Sequence, residues 1–321
     1  MNSSLASEAV DVGDVLRESI AASGGLDLLR KAGDDLAVRE QAGSIFEAMG
    51  LWDVRPLADQ LELEVAASAS RSAGFFAVPY PVAERLAAPA SGGATAIVGG
   101  SSPALVSHGD LPLAWTGVAL DGRIRRLLPQ RPQVLGTMLA PFAVRMSADS
   151  TEERSPATAA LAVTLQAWWL LGLLEHAVED TVRYTREREQ FGRRLITFQG
   201  VGFQLADMAV ALESLEELAK YTVWRLSVDR DEALVDALAL RSAVQQSAGT
   251  ILRGAHQLHG AMGFTDEVDV SWLSRAAQTA LRLPEDRHAL AGRLLAAIER
   301  DGWREFGHVG DTPTSPPSSP H

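Results

Sequence analysis

The stretch Tyr184-Thr-Arg-Glu-Arg-Glu-Gln-Phe-Gly-Arg-Arg-Leu195 does most to decide how this chain folds and what it binds. It follows a long apolar segment and brings arginines, an amide, an aromatic ring and a turn glycine together. A second stretch, Gln257-Leu-His-Gly-Ala-Met-Gly-Phe264, has the composition of a helix end that passes into a glycine-rich turn. Guanidinium groups and exposed backbone N–H groups both suit phosphate oxygens. The two stretches together therefore predict a site for a phosphorylated cofactor.

The composition bounds the class of protein. With 321 residues, 46% of them apolar, the chain is long enough for two or three substructures and a substantial core. A net charge of −12 argues against nucleic acid as a general partner, because most of the surface would repel phosphate. The absence of cysteine excludes disulfides, thiolate chemistry and cysteine metal sites. It also fits a reducing compartment, and Met1-Asn-Ser-Ser4 shows no signal-peptide pattern, so we expect a cytoplasmic protein.

One stretch, Ser155 to Leu174, carries no charge and is about long enough to span a bilayer. Thr158, Thr164 and Gln166 interrupt it, and its flanks show no clear anchoring pattern. The sequence therefore favours a buried helix in a soluble bundle over a membrane span.

Three regions and a tail follow from the pattern. Residues 1–90 are expected to form an N-terminal helical domain, with helices over 34–49 and 57–69 and breaks at Gly74 and at the prolines that follow. Residues 91–150 show short β-like runs at 95–98, 104–107, 113–118 and 134–138, which predict a reduced middle domain with a small sheet of a few strands. Residues 151–303 are expected to form a C-terminal helical bundle, and the Pro/Ser-rich residues 304–321 a disordered tail.

Apolar spacing supports the bundle. Ser155-Pro156 is a good helix start, Asp229 and Asp231 mark a later start, and a last helix is expected over 285–299. Alternating steps of three and four predict one buried face on each of two long helices. The residues in these two faces are Leu205, Met208, Leu212, Leu215, Ala219, Thr222 and Leu226, and then Leu234, Leu238, Ala248, Ile251, Leu252 and Ala255. The predicted fold class is mainly α (α+β), with a four-helix bundle at the C-terminal side.

This order of elements, together with three motifs, resembles the acyl-CoA dehydrogenase family. The motifs are the 184–195 string, Phe198-Gln-Gly-Val-Gly-Phe-Gln-Leu-Ala-Asp-Met208 and His256-Gln-Leu-His-Gly-Ala-Met-Gly-Phe-Thr265. The resemblance covers the C-terminal half, whereas the N-terminal match is weak and the middle one rests mostly on position. It implies FAD as cofactor and an oxidoreductase acting on the CH–CH bond of an acyl-CoA.

The resemblance assigns roles to several residues. Arg188 would meet the FAD diphosphate, and Gln190 and Phe191 would flank the adenosine portion. Gln257 and the backbone near Gly260 would touch the FAD of a neighbouring subunit. On composition alone the arginine-rich stretch favours a solvated helix end with pairs such as Arg183 and Glu187, and the glycines favour simple helix termination.

Two histidines in the second motif raise the question of a metal. His256 and His259 stand three residues apart on one helix face, but no convincing third ligand accompanies them. Packed or hydrogen-bonded rings are the favoured interpretation, and we expect no metal site.

The catalytic half of the family pattern is missing. In this family a glutamate removes the α-proton of the acyl thioester while hydride passes to flavin N5. One branch keeps that glutamate after the glycine turn, where this chain has Pro284, and another keeps it on the preceding long helix, at or near Ala162. Glu285 is one residue off, a shift of about 100° on a helix, and Glu175 lies later on the long helix. Both are weak alternatives, so no catalytic residue is predicted.

The middle region also lacks the Thr-Glu-Pro and Trp-Ile-Thr/Ser segments that hold the flavin ring in typical members. These departures resemble the degenerate subunit of actinobacterial α2β2 steroid-CoA dehydrogenases. The leading hypothesis is a non-catalytic subunit whose paralogous partner carries the glutamate and binds most of the acyl-CoA. The resemblance to this subgroup implies a steroid side-chain thioester as the acyl-CoA. Two alternatives stay open: a self-sufficient dehydrogenase with an atypical base, and a cofactor-free scaffolding subunit.

Overall fold

The computed structural model describes residues 4–33, 35–88, 93–99, 103–129, 140, 142–149 and 153–301. Within these ranges the chain is mainly α, with a sheet between two groups of helices, so the predicted fold class is confirmed. The helices are α1 (Ser7–Ala22), α2 (Asp27–Ala32), α3 (Leu36–Ala48), α4 (Gln60–Phe75), α5 (Val82–Leu86), α6 (Pro156–Glu187), α7 (Gln199–Val228), α8 (Leu234–His259), α9 (Asp269–Arg282) and α10 (Arg287–Asp301). The strands are β1 (Gly93–Val98), β2 (Ala104–Ser107), β3 (Ala114–Ala119), β4 (Arg123–Pro129), β5 (Ala143–Ala148), β6 (Glu153–Arg154), β7 (Glu189–Gln190) and β8 (Arg193–Arg194).

Aspartate caps set the starts of two N-terminal helices. Asp35 accepts a hydrogen bond from the backbone N of Ala37 (2.9 Å) and starts α3, and Asp59 accepts one from Leu61 (2.8 Å) and starts α4. The helices predicted over 34–49 and 57–69 therefore exist with shifted starts, and residue 34 itself lies outside the described residues.

The break predicted at Gly74 is wrong. α4 continues through Gly74 to Phe75 and ends just before the prolines. A Cβ atom added to Gly74 would lie 1.8 Å from the carbonyl oxygen of Trp169 on α6. Glycine is used here because two helix backbones touch, and not because the helix stops.

The sheet is larger than the few strands that the sequence predicts. Five strands run in the order β1-β3-β4-β5-β2, with β6 added beside β4, and β1 and β3 are the parallel pair among them. The predicted runs at 95–98, 104–107 and 113–118 correspond to β1, β2 and β3, whereas the run at 134–138 lies outside the described residues. β4 was missed because Arg123, Arg125 and Arg126 interrupt its apolar alternation.

α6 is the central helix of the molecule. Its cap, Ser155, accepts a hydrogen bond from the backbone N of Thr158 (3.2 Å), as the Ser-Pro start predicts. By length and composition alone α6 would be able to cross a membrane, but 83% of its most apolar window is buried inside the protein. Its neighbours are α4, α7, α8 and α9, which share one hydrophobic core with it. The interpretation as a buried core helix is confirmed.

The buried faces predicted for α7 and α8 are confirmed in their central positions, including Met208, Leu215, Ile251 and Ala255. The predicted start of α8 at Asp229 or Asp231 is wrong, because α8 begins at Leu234. The nearly buried Arg225 explains the acidic residues around this turn: its guanidinium lies 3.1 Å from Asp236 and 3.9 Å from Asp229. The last predicted helix, 285–299, is α10, shifted by two residues, and the tail 304–321 lies outside the described residues.

α6 and α8 run in the same direction. Gln166 on α6 accepts a hydrogen bond from Arg241 on α8 (2.6 Å), and further along the Tyr184 ring stacks on the His259 ring with centroids 4.3 Å apart. Both helices advance by the same number of residues between these two contacts. They therefore end together, at one end of the bundle, and each is followed there by one of the two predicted motifs.

Candidate functional site

The Arg-Glu-Gln-Phe-Gly string forms a tight hairpin immediately after α6. β7 pairs with β8 in antiparallel register, and the backbone N of Leu195 donates to the carbonyl oxygen of Arg188 (2.9 Å). The two turn residues, Phe191 and Gly192, both have positive φ, +55° and +77°. This is the geometry of a two-residue hairpin turn that matches strand twist. We call residues 188–195 the hairpin.

Phe191 is the unusual residue of the hairpin. The left-handed conformation costs an L-residue roughly 1–2 kcal/mol relative to glycine. Its ring is nevertheless 91% exposed, so no burial within this chain offsets that cost. A strained and exposed aromatic ring is a mark of a binding surface.

Among the arginines of the hairpin region, Arg193 lies over the Phe198 ring (3.8 Å to the centroid), and three others divide into two groups. Arg183 forms ion pairs with Asp180 and Asp269, and not with Glu187 as the helix spacing suggests. Arg188 and Arg194 are exposed and have no carboxylate within ion-pair distance among the described residues. Two unpaired guanidinium groups on an acidic chain suit an anionic ligand.

The second motif forms an open turn at the end of α8. Gly260 has φ +59°, and a Cβ atom added there would meet nothing within 4 Å. Gln257 is exposed on the last turn of the helix, and Phe264 is 78% exposed with its ring stacked on His256 (5.1 Å). The backbone at this turn is therefore accessible to a ligand.

His259 joins the two motifs. Its buried ring hydrogen-bonds the carbonyl oxygen of Ala255 (2.8 Å), lies 3.4 Å from the carboxylate of Asp180 and stacks on Tyr184. The ring is thus packed and hydrogen-bonded, and no group of three metal-ligating side chains occurs among the described residues. The sequence analysis did not predict the contact between Asp180 and His259. Asp180 lies four residues before Tyr184 on the same helix face, and this spacing would have indicated it.

The two motifs consequently lie at the same end of the bundle. Arg188 follows Tyr184 by one turn, and Gly260 directly follows His259, while Tyr184 and His259 are in contact. The structure thus places the predicted residues Arg188, Gln190 and Phe191 near the end of α6, and Gln257 and Gly260 beside the end of α8.

The two positions at which the resemblance places the base lie at the opposite end. Ala162 is buried on α6, one turn before Gln166, and Pro284 follows Leu283 at the end of α9. Arg241 connects these places, because its guanidinium donates to Gln166 (2.6 Å) and to the carbonyl oxygens of Ala280 (3.2 Å) and Leu283. Along α6 the hairpin is roughly 40 Å from Ala162 at 1.5 Å per residue.

Glu175, one weak alternative for a base, is held in a salt-bridge cluster. It accepts hydrogen bonds from Arg17 (2.9 and 3.0 Å) and from Arg71 (2.8 Å). Burial alone would raise the pKa of Glu175, but the hydrogen bonds and charges of the two arginines outweigh it and lower the pKa. A carboxylate so stabilised in its ionised form is a poor proton acceptor.

Glu285, the other alternative, also has a cationic partner. Its carboxylate binds the guanidinium of Arg293 on α10, with Nε of the arginine 3.0 Å away. Neither glutamate therefore has the free, weakly solvated carboxylate that a general base requires.

Comparison with known proteins gives a family match over part of the C-terminal half of the chain. Residues 161–282 match the acyl-CoA dehydrogenase C-terminal domain. Acyl-CoA dehydrogenase FadE28 from Mycobacterium tuberculosis is 37% identical over 103 residues, which cover 32% of this chain and 30% of that protein. The chain matches less than two fifths of the length of the first curated relatives.

Solved structures show that the likeness in fold extends over nearly the whole chain. A steroid ACAD variant, Tcur3481-Tcur3483, matches with a TM-score of 0.74 and 16% identity over 92% of this chain and 98% of that one. The ChsE4-ChsE5 complex from Mycobacterium tuberculosis matches with a TM-score of 0.69 and 16% identity over 94% and 98%. The resemblance read from the motifs is confirmed: the chain carries the C-terminal domain of the acyl-CoA dehydrogenases, a family that uses FAD.

The residues at the exposed end fit that cofactor. Unpaired Arg188 suits a diphosphate, the exposed Phe191 ring suits a purine face, and the Gly260 turn leaves backbone open for close approach.

Proposed function

We propose that this chain, a carrier of the acyl-CoA dehydrogenase C-terminal domain, is a non-catalytic subunit that completes the FAD site of a paralogous partner. One observation carries the proposal. Arg188, Phe191 and Gln257 are exposed at one end of the bundle, while Ala162 and Pro284, the positions at which the resemblance places the base, lie at the other end and are not carboxylates. A dinucleotide cofactor held at the first end cannot also reach the second, so these residues act on a site in another subunit.

The partner supplies what this chain lacks, namely the flavin-ring pocket and the glutamate. The names of two similar structures refer to a steroid ACAD and to a complex of two different proteins, which supports a heteromeric assembly. We infer that the two subunits form an α2β2 assembly in the cytoplasm. Its substrate is an acyl-CoA with a bulky acyl group such as a steroid side chain. The acyl-CoA binds mainly in the partner.

This chain's part in the reaction is binding and orientation. FAD, when bound, accepts the hydride in the α,β-desaturation of the thioester. Arg188 neutralises the diphosphate, the Phe191 ring covers the adenosine portion, and Gln257 with the backbone at Gly260 fixes the position of the cofactor. Because charge and hydrogen bonds fix the cofactor at one end, the reacting ring is held steady in the partner's pocket.

The test is co-expression with an acyl-CoA dehydrogenase paralogue from a neighbouring reading frame. The complex should be yellow and active, and Arg188→Ala should lower its FAD affinity roughly tenfold or more, the loss expected for a charge-assisted hydrogen bond. Arg287→Ala is the matched control, since it removes an exposed arginine at the opposite end of the bundle and should leave FAD bound.

Three results discriminate the alternatives. If the chain alone binds FAD and oxidises acyl-CoA at the full rate of the complex, the proposal is wrong. If Arg188→Ala leaves FAD affinity unchanged, the chain is a scaffold. Glu175→Gln and Glu285→Gln should each retain turnover, and abolition of turnover by either variant with flavin still bound would identify an atypical base.

A further inference from the structure

The segment between α8 and α9, residues 260–268, carries the Gly260 turn and is held mainly at its two ends. We call it the α8–α9 connection. Among its residues, all within the described part of the chain, only Gly263 is buried. His259 directly precedes the connection, and Asp269 directly follows it. Because so little of the connection packs against the core, the contacts of these two end residues do most to set its position.

The two end residues form reciprocal pairs with one face of α6. Nε2 of His259 lies 3.4 Å from Oδ2 of Asp180 on that helix. Conversely, Oδ2 of Asp269 lies 3.3 Å from Nε2 of His176, which is one turn before Asp180 on the same face of α6. The guanidinium of Arg183 joins the two pairs, because it binds Asp180 and lies 3.9 Å from Asp269. Each end of the connection is therefore tied to α6 by one histidine–carboxylate pair.

The contacts of the two rings indicate that each carries two protons. Nδ1 of His259 lies 2.8 Å from the carbonyl oxygen of Ala255, and Nδ1 of His176 lies 2.5 Å from that of Phe75. A carbonyl oxygen can only accept, so each Nδ1 carries a proton. Each Nε2 faces a carboxylate, which attracts an N–H group and repels a lone pair. The positively charged ring is therefore the form that fits both sites.

Burial makes these charges important to the attachment of the connection. Asp180 is 5% exposed, and among the described residues its Oδ2 accepts no hydrogen bond. A neutral His259 would leave that buried carboxylate with Arg183 as its remaining partner, which is costly. At the other end, the hydrogen bond from His176 is the largest cause that lowers the pKa of Asp269 to about 2. Loss of the proton from either ring thus weakens the hold of α6 on the connection.

Other charged groups surround the two rings, and carboxylates outnumber guanidinium groups among them. The groups that face His259 are Asp180 and Tyr184 on α6 and His256 on α8. The groups around His176 are Asp269 on α9, Asp27 and Arg30 on α2, Glu179, Asp180 and Arg183 on α6, and Arg17 on α1, which lies over the Phe75 ring and is paired with Glu175. An excess of negative charge favours protonated rings.

We propose that Asp180 and His176 are positioning residues for FAD. Paired with His259 and Asp269, they hold the α8–α9 connection in the conformation that contacts the cofactor, and the pairs are complete only while both rings are protonated. A connection held in place before binding lowers the cost of ordering it around FAD. The inference rests on the proposed function, because it concerns the same turn.

The sign of the pH dependence follows from linkage. If FAD binds better to the form with protonated rings, its binding takes up protons. The FAD affinity is then highest in acid and falls as the pH rises through the range in which histidines lose their charge, about pH 5 to about pH 8.

The test is titration calorimetry of FAD into the apo form of the complex. Near pH 7, titrations in two buffers of different ionisation enthalpy should show proton uptake. Asp180→Asn keeps the shape of the side chain and removes its charge. It should reduce the proton uptake and lower the FAD affinity roughly tenfold near pH 6, the loss of one charge-assisted contact. Near pH 8 the loss should be much smaller, because a neutral ring is no longer attracted by the carboxylate.

Asp266→Asn is the matched control. It removes a carboxylate from the connection itself, but that carboxylate pairs with Arg275 and not with α6, so FAD affinity and proton uptake should stay unchanged. Absence of proton uptake by the unmodified complex overturns the inference, and so does a loss from Asp180→Asn that is equal at pH 6 and pH 8. Arg188→Ala separates the two proposals. If it lowers the FAD affinity and Asp180→Asn does not, this inference alone fails; if it leaves the affinity unchanged, both fail.

Discussion

Gly74 on α4 and Gly172 on α6 lie at a crossing where the two helix backbones are in direct contact. A Cβ atom on Gly74 would lie 1.8 Å from the Trp169 carbonyl oxygen, and one on Gly172 would lie 1.9 Å from the Arg71 carbonyl oxygen. Real Cβ contacts are never so short, so both positions require glycine. The crossing also sets the Arg71–Glu175 ion pair at 2.8 Å.

Gly172→Ala should therefore destabilise the protein severely, by about 3 kcal/mol or more, because α4 and α6 must separate or distort. The measurement is the free energy of unfolding by chemical denaturation. Gly249→Ala is the control: it lies in α8, its Cβ would meet only the end of Arg253 at 3.7 Å, and helix propensity predicts a gain of up to about 1 kcal/mol. If the two variants had the same free energy of unfolding, the direct backbone contact between α4 and α6 would be contradicted.

Phe191→Gly should separate stability from cofactor binding. Glycine relieves the left-handed strain at φ +55° but adds entropy to the unfolded chain, so stability should stay level or rise by up to about 1 kcal/mol. FAD affinity of the complex should fall, because the exposed ring is lost. Thermal unfolding measures the stability and flavin retention measures the FAD affinity, both on one preparation of the complex. A fall in stability with FAD retained would mean that the ring is structural.

Glu84→Gln should stabilise the protein only at high pH. The pKa of Glu84 is raised to about 7 from an ordinary 4.5, so its carboxyl favours folding below about pH 4.5 and loses that advantage as the pH rises through 7. Unfolding free energies should be equal near pH 4, and near pH 8 the variant should be more stable by up to about 3 kcal/mol. Glu18→Gln, on an exposed part of α1, should show no such difference.

Asp269→Asn should lower the free energy of unfolding at neutral pH and should lower it less in acid. The hydrogen bond from His176 and the pairing with Arg30 lower the pKa of Asp269 to about 2 from 3.8. The carboxylate therefore contributes about 2 kcal/mol above pH 4, which is lost as the pH falls toward 2. Denaturation at several pH values measures this. Asp266→Asn removes an exposed ion pair with Arg275 and should cost less than about 1 kcal/mol at every pH.

The sequence by itself was sufficient for the fold class, the buried α6 and the resemblance to the acyl-CoA dehydrogenase C-terminal domain. Apolar spacing of three and four, the Ser155-Pro156 start and the two motifs are local signals, and each element that they predict is present. Local signals failed at β4, because its arginines interrupt the apolar alternation expected of a strand. They also failed at Gly74, which lies at a helix crossing and not at a helix end. A glycine at a turn and a glycine at a backbone contact are identical in sequence, because only the neighbouring helix distinguishes them.

The tertiary structure decided where the motifs lie and which charges are free. The parallel course of α6 and α8 brings the hairpin and the Gly260 turn to one end and leaves Ala162 and Pro284 at the other, a relationship between residues far apart in the chain. Within the part of the chain that the structure describes, it also pairs Glu175 and Glu285 with arginines and leaves Glu84 without one. A side chain's ionisation depends on burial and on partners from other elements, and sequence spacing carries neither.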